Sequence, residues 1–316
     1  MDQRFDVLGL GSTSVDEILF VQSFPAPDTK TRVIRWERRC GGLTGTALVT
    51  AARLGASCGY AGRLGLDDNS RLVEENFARE GIDTAHVPRA GENSVVASTI
   101  VVALDGGTRN VFSRASGLTG AHDHLPSERV IRNSRALFVD HHGVKGAIRA
   151  CRVARAAGIP VVADLERADD PDFLELLAAV DHLVVSEKFA GRLTGAQSAA
   201  EAVRGLWQPQ RTAVVVTCGA RGCWFSESGV TVSRFKAPEV DARNTAGCGD
   251  VFHGAYVAGL AFGADMMQRL ELASAAAALY ASRASEHGIP RRSEVAQFLE
   301  ATRARSALSM DERLSR

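Results

Sequence analysis

Lysine is almost missing from this 316-residue chain: of 37 basic side chains, only Lys30, Lys145, Lys188 and Lys236 are lysines. None of the four stands in a Gly-x4-Gly-Lys-Ser/Thr setting, which excludes a P-loop nucleotide site. A Gly-x-Ser-x-Gly nucleophile turn is also absent, so a serine hydrolase of that kind is excluded. The six cysteines, at 40, 58, 151, 218, 223 and 248, form no Cys-x-x-Cys pair, and no Cys/His set has zinc-like spacing. Free thiols in a reducing cytoplasm are the reading that follows. Nowhere do 18 apolar residues run together, and the first twenty residues lack a basic start followed by a long apolar stretch, so neither membrane insertion nor export is expected. Basic and acidic residues balance at 37 each. That removes a general attraction to nucleic acid or an anionic membrane and leaves a small molecule as the expected partner.

What is present is ordinary folded composition, with 45% hydrophobic and 23% charged residues, far from the disordered corner. Short apolar runs at 5–10, 57–61, 136–139, 160–163, 182–185 and 213–217 alternate with amphipathic stretches at 46–54, 70–80, 145–157 and 170–179. This rhythm predicts strand-helix-strand units and a largely parallel sheet. Gly55, Gly81 and Gly158 follow three of the helical stretches as expected caps. Toward the C-terminus, 251–262 and 266–284 read as two helices followed by a polar tail.

Two stretches break the rhythm. Residues 17–40 contain Pro25 and Pro27, and residues 93–114 alternate around Asp105-Gly106-Gly107, a hairpin signal. Together they are expected to form one small β-sheet lid over a pocket. Without repeats or a low-complexity linker, the chain reads as a single α/β domain over 1–316 carrying this lid.

The segment with most chemistry is Asn244-Thr245-Ala246-Gly247-Cys248-Gly249-Asp250, running directly into the apolar helix VFHGAYVAGLAFG. Glycines at 247 and 249 allow backbone N–H groups to converge at a helix N-terminus, where unpaired donors and the macrodipole favour an anion such as a phosphoryl group. A carboxylate at such a mouth is repelled by the ligand unless it has a task, such as accepting a hydroxyl proton during transfer. Taken alone, Asp250 reads equally well as a helix cap after a glycine turn. A second signal, Gly41-Gly42-Leu43-Thr44-Gly45-Thr46-Ala47, also opens a helix. Taken alone, it reads as a tight turn before an Ala-rich core helix.

Jointly, these segments resemble the ribokinase-like, or PfkB, carbohydrate kinase family. Gly41-Gly42-x3-Thr46-Ala47-x5-Arg53-Leu54-Gly55 is similar to the family's first signature and Thr245-x-Gly247-x-Gly249-Asp250 to its second. GRLGLDD at 62–68, Glu80-Gly81-Ile82-Asp83, Leu193-Thr194-Gly195 and Thr217-Cys218-Gly219-Ala220-Arg221-Gly222 fall between them in the family's order, so the resemblance covers residues 5 to about 299. It implies an α/β fold with a central, mostly parallel sheet, helices on both faces and a β lid. It also implies ATP with Mg²⁺ and a sugar or sugar-like alcohol as substrate. Carried over by position, Asp250 is the base and Gly247, Cys248 and Gly249 the anion hole. Asp16, expected at the end of the first strand, binds substrate hydroxyls, with Gly41, Gly42 and Thr46 lining that pocket. Thr217, Gly219 and Gly222 run beside the nucleotide, with Thr245, Ser186 and Glu187 on the same side. A homodimer through the lid is also implied.

The chain departs from the pattern in three places. Thr46 stands where the family usually has Asn, and Asn244 where Asp is common. Ser186-Glu187-Lys188-Phe189 replaces the Asn-x-x-Glu motif near the metal-bound phosphates. Ser-Glu there, with Asp-Val-Phe-His-Gly from residue 250, resembles the branch that includes fructose-type and sulfonated-ketose kinases. A metal site cannot be assigned from the sequence, and a nucleoside kinase or a non-catalytic sugar-binding descendant of the fold remain alternatives.

Asp140-His141-His142 follows the apolar run ALFV, and residues just past a parallel strand's carboxyl end lie on the ligand side. All three are expected to contact substrate; as adjacent loop residues the histidines are expected to point apart, against a metal site. Arg109 and Arg114 sit on the lid hairpin, where a guanidinium fork can hold an anionic substrate group. His122-Asp123-His124 reads as solvated loop, and His253 as packed beneath the site. Gly9-x-Gly11 hints at a dinucleotide fingerprint, but the proline-containing segment after it cannot build the required helix.

Overall fold

The computed structural model describes residues 5–243, 245–283 and 288–314. Eight strands make the central sheet. From edge to edge they are β12 (Ser233–Phe235), β11 (Cys223–Ser226), β10 (Ala213–Thr217), β9 (His182–Ser186), β8 (Val161–Asp164), β7 (Ser134–Asp140), β1 (Phe5–Leu10) and β4 (Cys58–Tyr60). The strands from β10 to β4 pair in parallel, and only the β11 and β12 edge is antiparallel.

A strand side chain points to alternate faces, so a run that is apolar throughout must be covered twice. Leu137, Val139, Leu183 and Val185 enter one apolar cluster, beneath α4 (Val144–Ala156), α5 (Phe173–Ala178), α6 (Glu187–Thr194) and α7 (Ala199–Leu206). Their neighbours Ala136, Phe138 and Val184 enter the other, beneath α1 (Leu43–Arg53), α8 (Cys248–Ala261) and α9 (Met266–Ser282). Two further helices complete the set up to α9: α2 (Asp68–Arg79) and α3 (Glu128–Arg132).

Strand and helix positions follow the hydrophobic rhythm, with corrections. Helix α1 begins at Leu43, a turn earlier than the pattern indicates, because Gly42 rather than Thr46 supplies the break. The polar tail is instead helix α10 (Arg292–Leu314), whose Val295 is buried and whose Phe298 and Leu299 pack on the core. That i, i+3, i+4 stripe is short, and the charged residues around it masked it. Asn244 and Ala284 lie outside the described residues. Gly9 and Gly11 have a packing reason: a Cβ at Gly9 would stand 2.7 Å from a methyl of Leu48, and one at Gly11 2.6 Å from the Asp140 carboxyl carbon. Helix α1 can therefore lie close on β1.

Both irregular insertions enter one separate sheet, in the order β3 (Arg35–Gly41), β2 (Ser14–Val21), β5 (Val96–Ala103) and β6 (Thr108–Ala115). Only three residues separate β1 from β2. Asp16 is thus the third residue of a strand in the small sheet, not the end of the first strand.

Candidate active site

The parallel strands end where α8 begins. Gly247 adopts φ 80° at the N-cap, a left-handed turn that favours glycine. The helix's first internal bond in this turn runs from the Val251 N–H to the Gly247 carbonyl at 3.0 Å, so the amides of Gly249 and Asp250 precede the hydrogen-bonded ladder. Gly249 needs neither a positive φ nor space for a neighbour, since a Cβ there would meet nothing within 4 Å. Nothing in the protein's own packing requires this glycine. Cys248 beside it has a thiol pushed up to about 11 by burial and by the charge of Asp250.

Asp250 occupies the first turn of α8 and is half-buried. Enclosure by protein pushes its carboxyl well above the usual range, and the charges of Asp164, Glu166, Asp16 and Asp140 push it the same way. Asp164, the last residue of β8, is 3% exposed and its carboxyl is raised by burial, with the charge of His253 acting in the opposite sense. It was missed in the sequence, although its run PVVAD ends as ALFVD does at Asp140; in register the two aspartates are neighbours on β7 and β8. His253 is buried as expected, one turn beyond Asp250.

On the lid side, Asp16 pairs in register with Arg39 of β3 and Ser98 of β5. Desolvation raises its carboxyl despite hydrogen bonds from Ser98 and Ser14. A Cβ at Gly41 would lie 2.7 Å from an Asp16 oxygen, and one at Gly42 2.6 Å from the Thr13 Cα, so both glycines let the two lid strands and α1 converge on this carboxylate. Thr46 lies half-buried in the first turn of α1.

The structure separates the two lid arginines. Arg109, opposite Val102, lies an even number of residues from Ser113, which pairs with Ser98, so it shares the Asp16 face. Its guanidinium donates to the Thr245 hydroxyl at 3.2 Å, linking lid to the α8 entry segment. Arg114 pairs with Ala97 and stands on the opposite face, beside a groove of about 390 Å³ lined also by Val15, Glu17 and Phe112. Of the two arginines expected to hold an anionic substrate group, strand alternation leaves only Arg109 on the Asp16 face.

Asp140 is corrected as well. It is wholly buried, and one carboxylate oxygen accepts from the Ser12 amide at 2.7 Å, the Ser12 hydroxyl at 3.0 Å and the Thr44 hydroxyl at 2.9 Å. The other oxygen accepts from the His142 amide at 2.8 Å. Burial alone would raise this carboxyl, but the contacts and the charges of His142 and His141 outweigh it and hold it well below its usual range. Its work is to clamp the link after β1, α1 and β7 together. His141 and His142 do not point apart: their rings lie 4.4 Å apart at 33°. Burial lowers His141 to about 4, while for His142 the Asp140 contact overcomes burial and raises it. No three-residue set of metal-ligating side chains occurs among the described residues.

Toward the antiparallel edge, Ser186 and Thr217 end neighbouring strands in register. Ser186 caps α6, accepting from the Phe189 amide at 3.2 Å. Glu187 is joined to Arg221, which bridges α6 to the turn at 219–221. Gly219 has φ 58° with open space around it, whereas a Cβ at Gly222 would collide with the Phe235 carbonyl, so Gly222 is fixed by the fold itself. Thr245 is exposed at the mouth. His122 accepts from the amides of His124 and Leu125, and Asp123 pairs with Arg63 at 2.9 Å, so this loop is tied down rather than merely solvated.

The sequence pattern of pfkB family carbohydrate kinases matches residues 5–288. The chain belongs to the pfkB carbohydrate kinase family. It is 30% identical to the ribokinase of Haemophilus influenzae over 92% of this chain and 97% of that protein. To the 5-dehydro-2-deoxygluconokinase of Shouchella clausii it is 24% identical, over 94% of this chain and 96% of the other. The solved Arabidopsis thaliana ribokinase, complexed with ribose and ATP, superposes with a TM-score of 0.83 at 20% identity, over 94% and 99% of the two chains, which shows a common fold. As in that fold, a large sheet flanked by helices carries a smaller sheet. Among the described residues no helix is long and apolar enough to cross a membrane.

Proposed function

We propose that this pfkB carbohydrate kinase transfers the γ-phosphoryl group of ATP to a hydroxyl of a sugar or sugar-like alcohol, with Asp250 as the base. One observation carries the reading: the start of α8 joins a half-buried carboxylate with a raised pKa to a glycine, Gly249, that the protein's own packing does not need. An alcohol is almost fully protonated at neutral pH, so its proton must leave as oxygen bonds to phosphorus. A carboxylate shifted upward is a better acceptor than an ordinary aspartate. The amides of the same turn face the developing phosphoryl charge, so one rigid helix start aligns base and anion site.

Asp16 binds acceptor hydroxyls, with Gly41, Gly42 and Thr46 giving the sugar access to it. The small sheet is the lid, and Arg109 draws it toward α8. Ser186, Glu187, Thr217, Gly219 and Thr245 flank the nucleotide. Mg²⁺ fits here as a companion of the phosphates rather than as a resident ion. Such ions are usually held by one or two carboxylates plus substrate phosphates, and Glu187, part-exposed and steadied by Arg221, is the carboxylate on that side. Bound Mg²⁺ would supply charge neutralisation between the phosphates. The outer face of the lid exposes Trp36 and Phe112, a surface suited to a second lid in a homodimer.

The test is ADP release over a panel of neutral sugars, acidic sugars and nucleosides, with and without Mg²⁺. Turnover with a sugar, dependent on Mg²⁺, is expected. The replaced Asn-x-x-Glu pair motivates a second reading, a sugar-binding protein without catalysis. Sugar binding by calorimetry with no ADP release from any acceptor would establish that reading, and turnover of nucleosides alone would place the chain among nucleoside kinases.

A further inference from the structure

His253 lies on α8 one turn beyond Asp250, with its side chain 5% exposed. Its Nδ1 stands 2.8 Å from the Gly249 carbonyl oxygen and 3.2 Å from Asp164 Oδ2. Its Nε2 stands 2.9 Å from the carbonyl oxygen of Val184 on β9. Carbonyl and carboxylate oxygens only accept hydrogen bonds. A neutral ring carries one N–H, so in either tautomer a nitrogen lone pair would face a backbone carbonyl oxygen, of Gly249 or of Val184, at hydrogen-bond distance. Only a ring protonated on both nitrogens donates to all of these partners.

Resting on the phosphotransfer reading above, we propose that His253 is a buried imidazolium that keeps Asp164 ionised beside Asp250, and so is a positioning residue for proton acceptance. The sequence reading gave His253 no task beyond packing. Its contacts also tie the first turn of α8 to β8 and β9, so the helix start that bears Asp250 is held from two strands. The surrounding groups agree in sign. Asp140 from the end of β7 and Glu166 from the segment after β8 add negative potential at Asp164. Helix α1 brings Ala47 and Thr50 against α8 at Gly254, Phe138 of β7 meets the ring edge-on, and Arg269 of α9 is engaged farther along with His182 and Tyr256. The imidazolium is a cation in contact with Asp164, and its charge opposes the burial that raises this carboxyl, favouring the ionised form. Ionised Asp164 in turn raises Asp250, together with the charges of Glu166, Asp16 and Asp140.

Without the imidazolium, Asp164 takes up a proton, the negative potential at Asp250 falls, and Asp250 becomes a weaker base. In His253→Asn the acid limb of the kcat profile therefore moves to lower pH, and the plateau drops about tenfold, within the range of general-base contributions, while the KM for sugar changes less than twofold. Asp164→Asn shifts the limb in the same direction, and the double variant shifts it no further. A merely structural role lowers kcat without moving the limb. Independently of turnover, histidine-selective ¹⁵N NMR of the wild-type apo protein at pH 7.5 is expected to show both His253 nitrogens protonated. A neutral-tautomer signature there, or an unmoved limb in His253→Asn alongside a moved one in Asp164→Asn, overturns the proposal. Because the ring signals need no substrate, full turnover by Asp250→Asn would remove the base assignment while leaving the ring's charge state separately decided.

Discussion

In the central sheet, β7 to β10 are buried on both faces almost to their last residues, whereas β6 of the lid sheet is exposed along all eight of its residues. The two sheets use the same backbone pairing under different constraints. Two-sided burial fixes the positions of strand ends, and these ends carry Asp140, Asp164, Ser186 and Thr217 in neighbouring registers. A sheet covered on one side at most tolerates movement and substitution, and it carries Asp16 and Arg109. Under the proposed function, chemistry that requires fixed geometry grows from the core, and acceptor recognition from the smaller, more exposed sheet.

The largest expected effect lies on the core side. Asp250→Asn keeps the shape and removes the base, so kcat should fall by about 10² to 10⁴ with ATP affinity nearly unchanged, checked by steady-state kinetics and calorimetry. Near wild-type turnover would mean that Asp250 is only a helix cap, and the division of labour between the sheets would collapse.

Next is the seam that holds α8 in place. A Cβ at Gly254 would run into the Ala47 carbonyl of α1 and lie 2.7 Å from the Thr50 Cβ. With backbone on one side of the clash, Gly254→Ala should cost about 3 kcal/mol of stability, measured by urea unfolding. An unchanged midpoint would show the α1–α8 contact to be compliant and the core less fixed than argued.

On the lid, Asp16→Asn should raise the KM for sugar roughly 10- to 100-fold, the value of a charge-assisted hydrogen bond or two, with little change for ATP. Equal losses for both substrates would indicate that Asp16 organises the lid rather than binding the acceptor.

The smallest effects separate the faces of one strand. Arg109→Ala should lower kcat/KM about fivefold by releasing the contact to Thr245, whereas Arg114→Ala should stay within about twofold, as expected of a surface residue away from the site. A loss confined to KM in Arg109→Ala points to an anionic acceptor. Equal losses in both variants would contradict the assignment of faces from strand register.

The sequence made legible whatever local pattern alone encodes. Unbroken apolar runs announced buried parallel strands, alternation around a Gly-rich turn announced a hairpin of the small sheet, and the glycine turn running into an apolar helix announced the start of α8. It was less legible where one residue type serves several ends. Asp140 and Asp164 both end apolar strands, and nothing in their neighbours distinguishes a clamp saturated by Ser12, Thr44 and the His142 amide from a carboxylate whose charge acts on Asp250. Arg109 and Arg114 look alike in sequence, and an odd spacing of five sends them to opposite faces once the register is fixed.

By itself, then, the sequence determined the α/β class, the two glycine turns and the place of Asp250 at a helix start, because hydrophobic period, dihedral freedom and helix-start chemistry are properties of short segments. The tertiary structure alone decided which carboxylates share a field, which arginine reaches Thr245 and why His253 is ringed by acceptors. Those outcomes depend on distances between residues up to 136 positions apart in the chain, set by how helices and strands pack and by no local pattern.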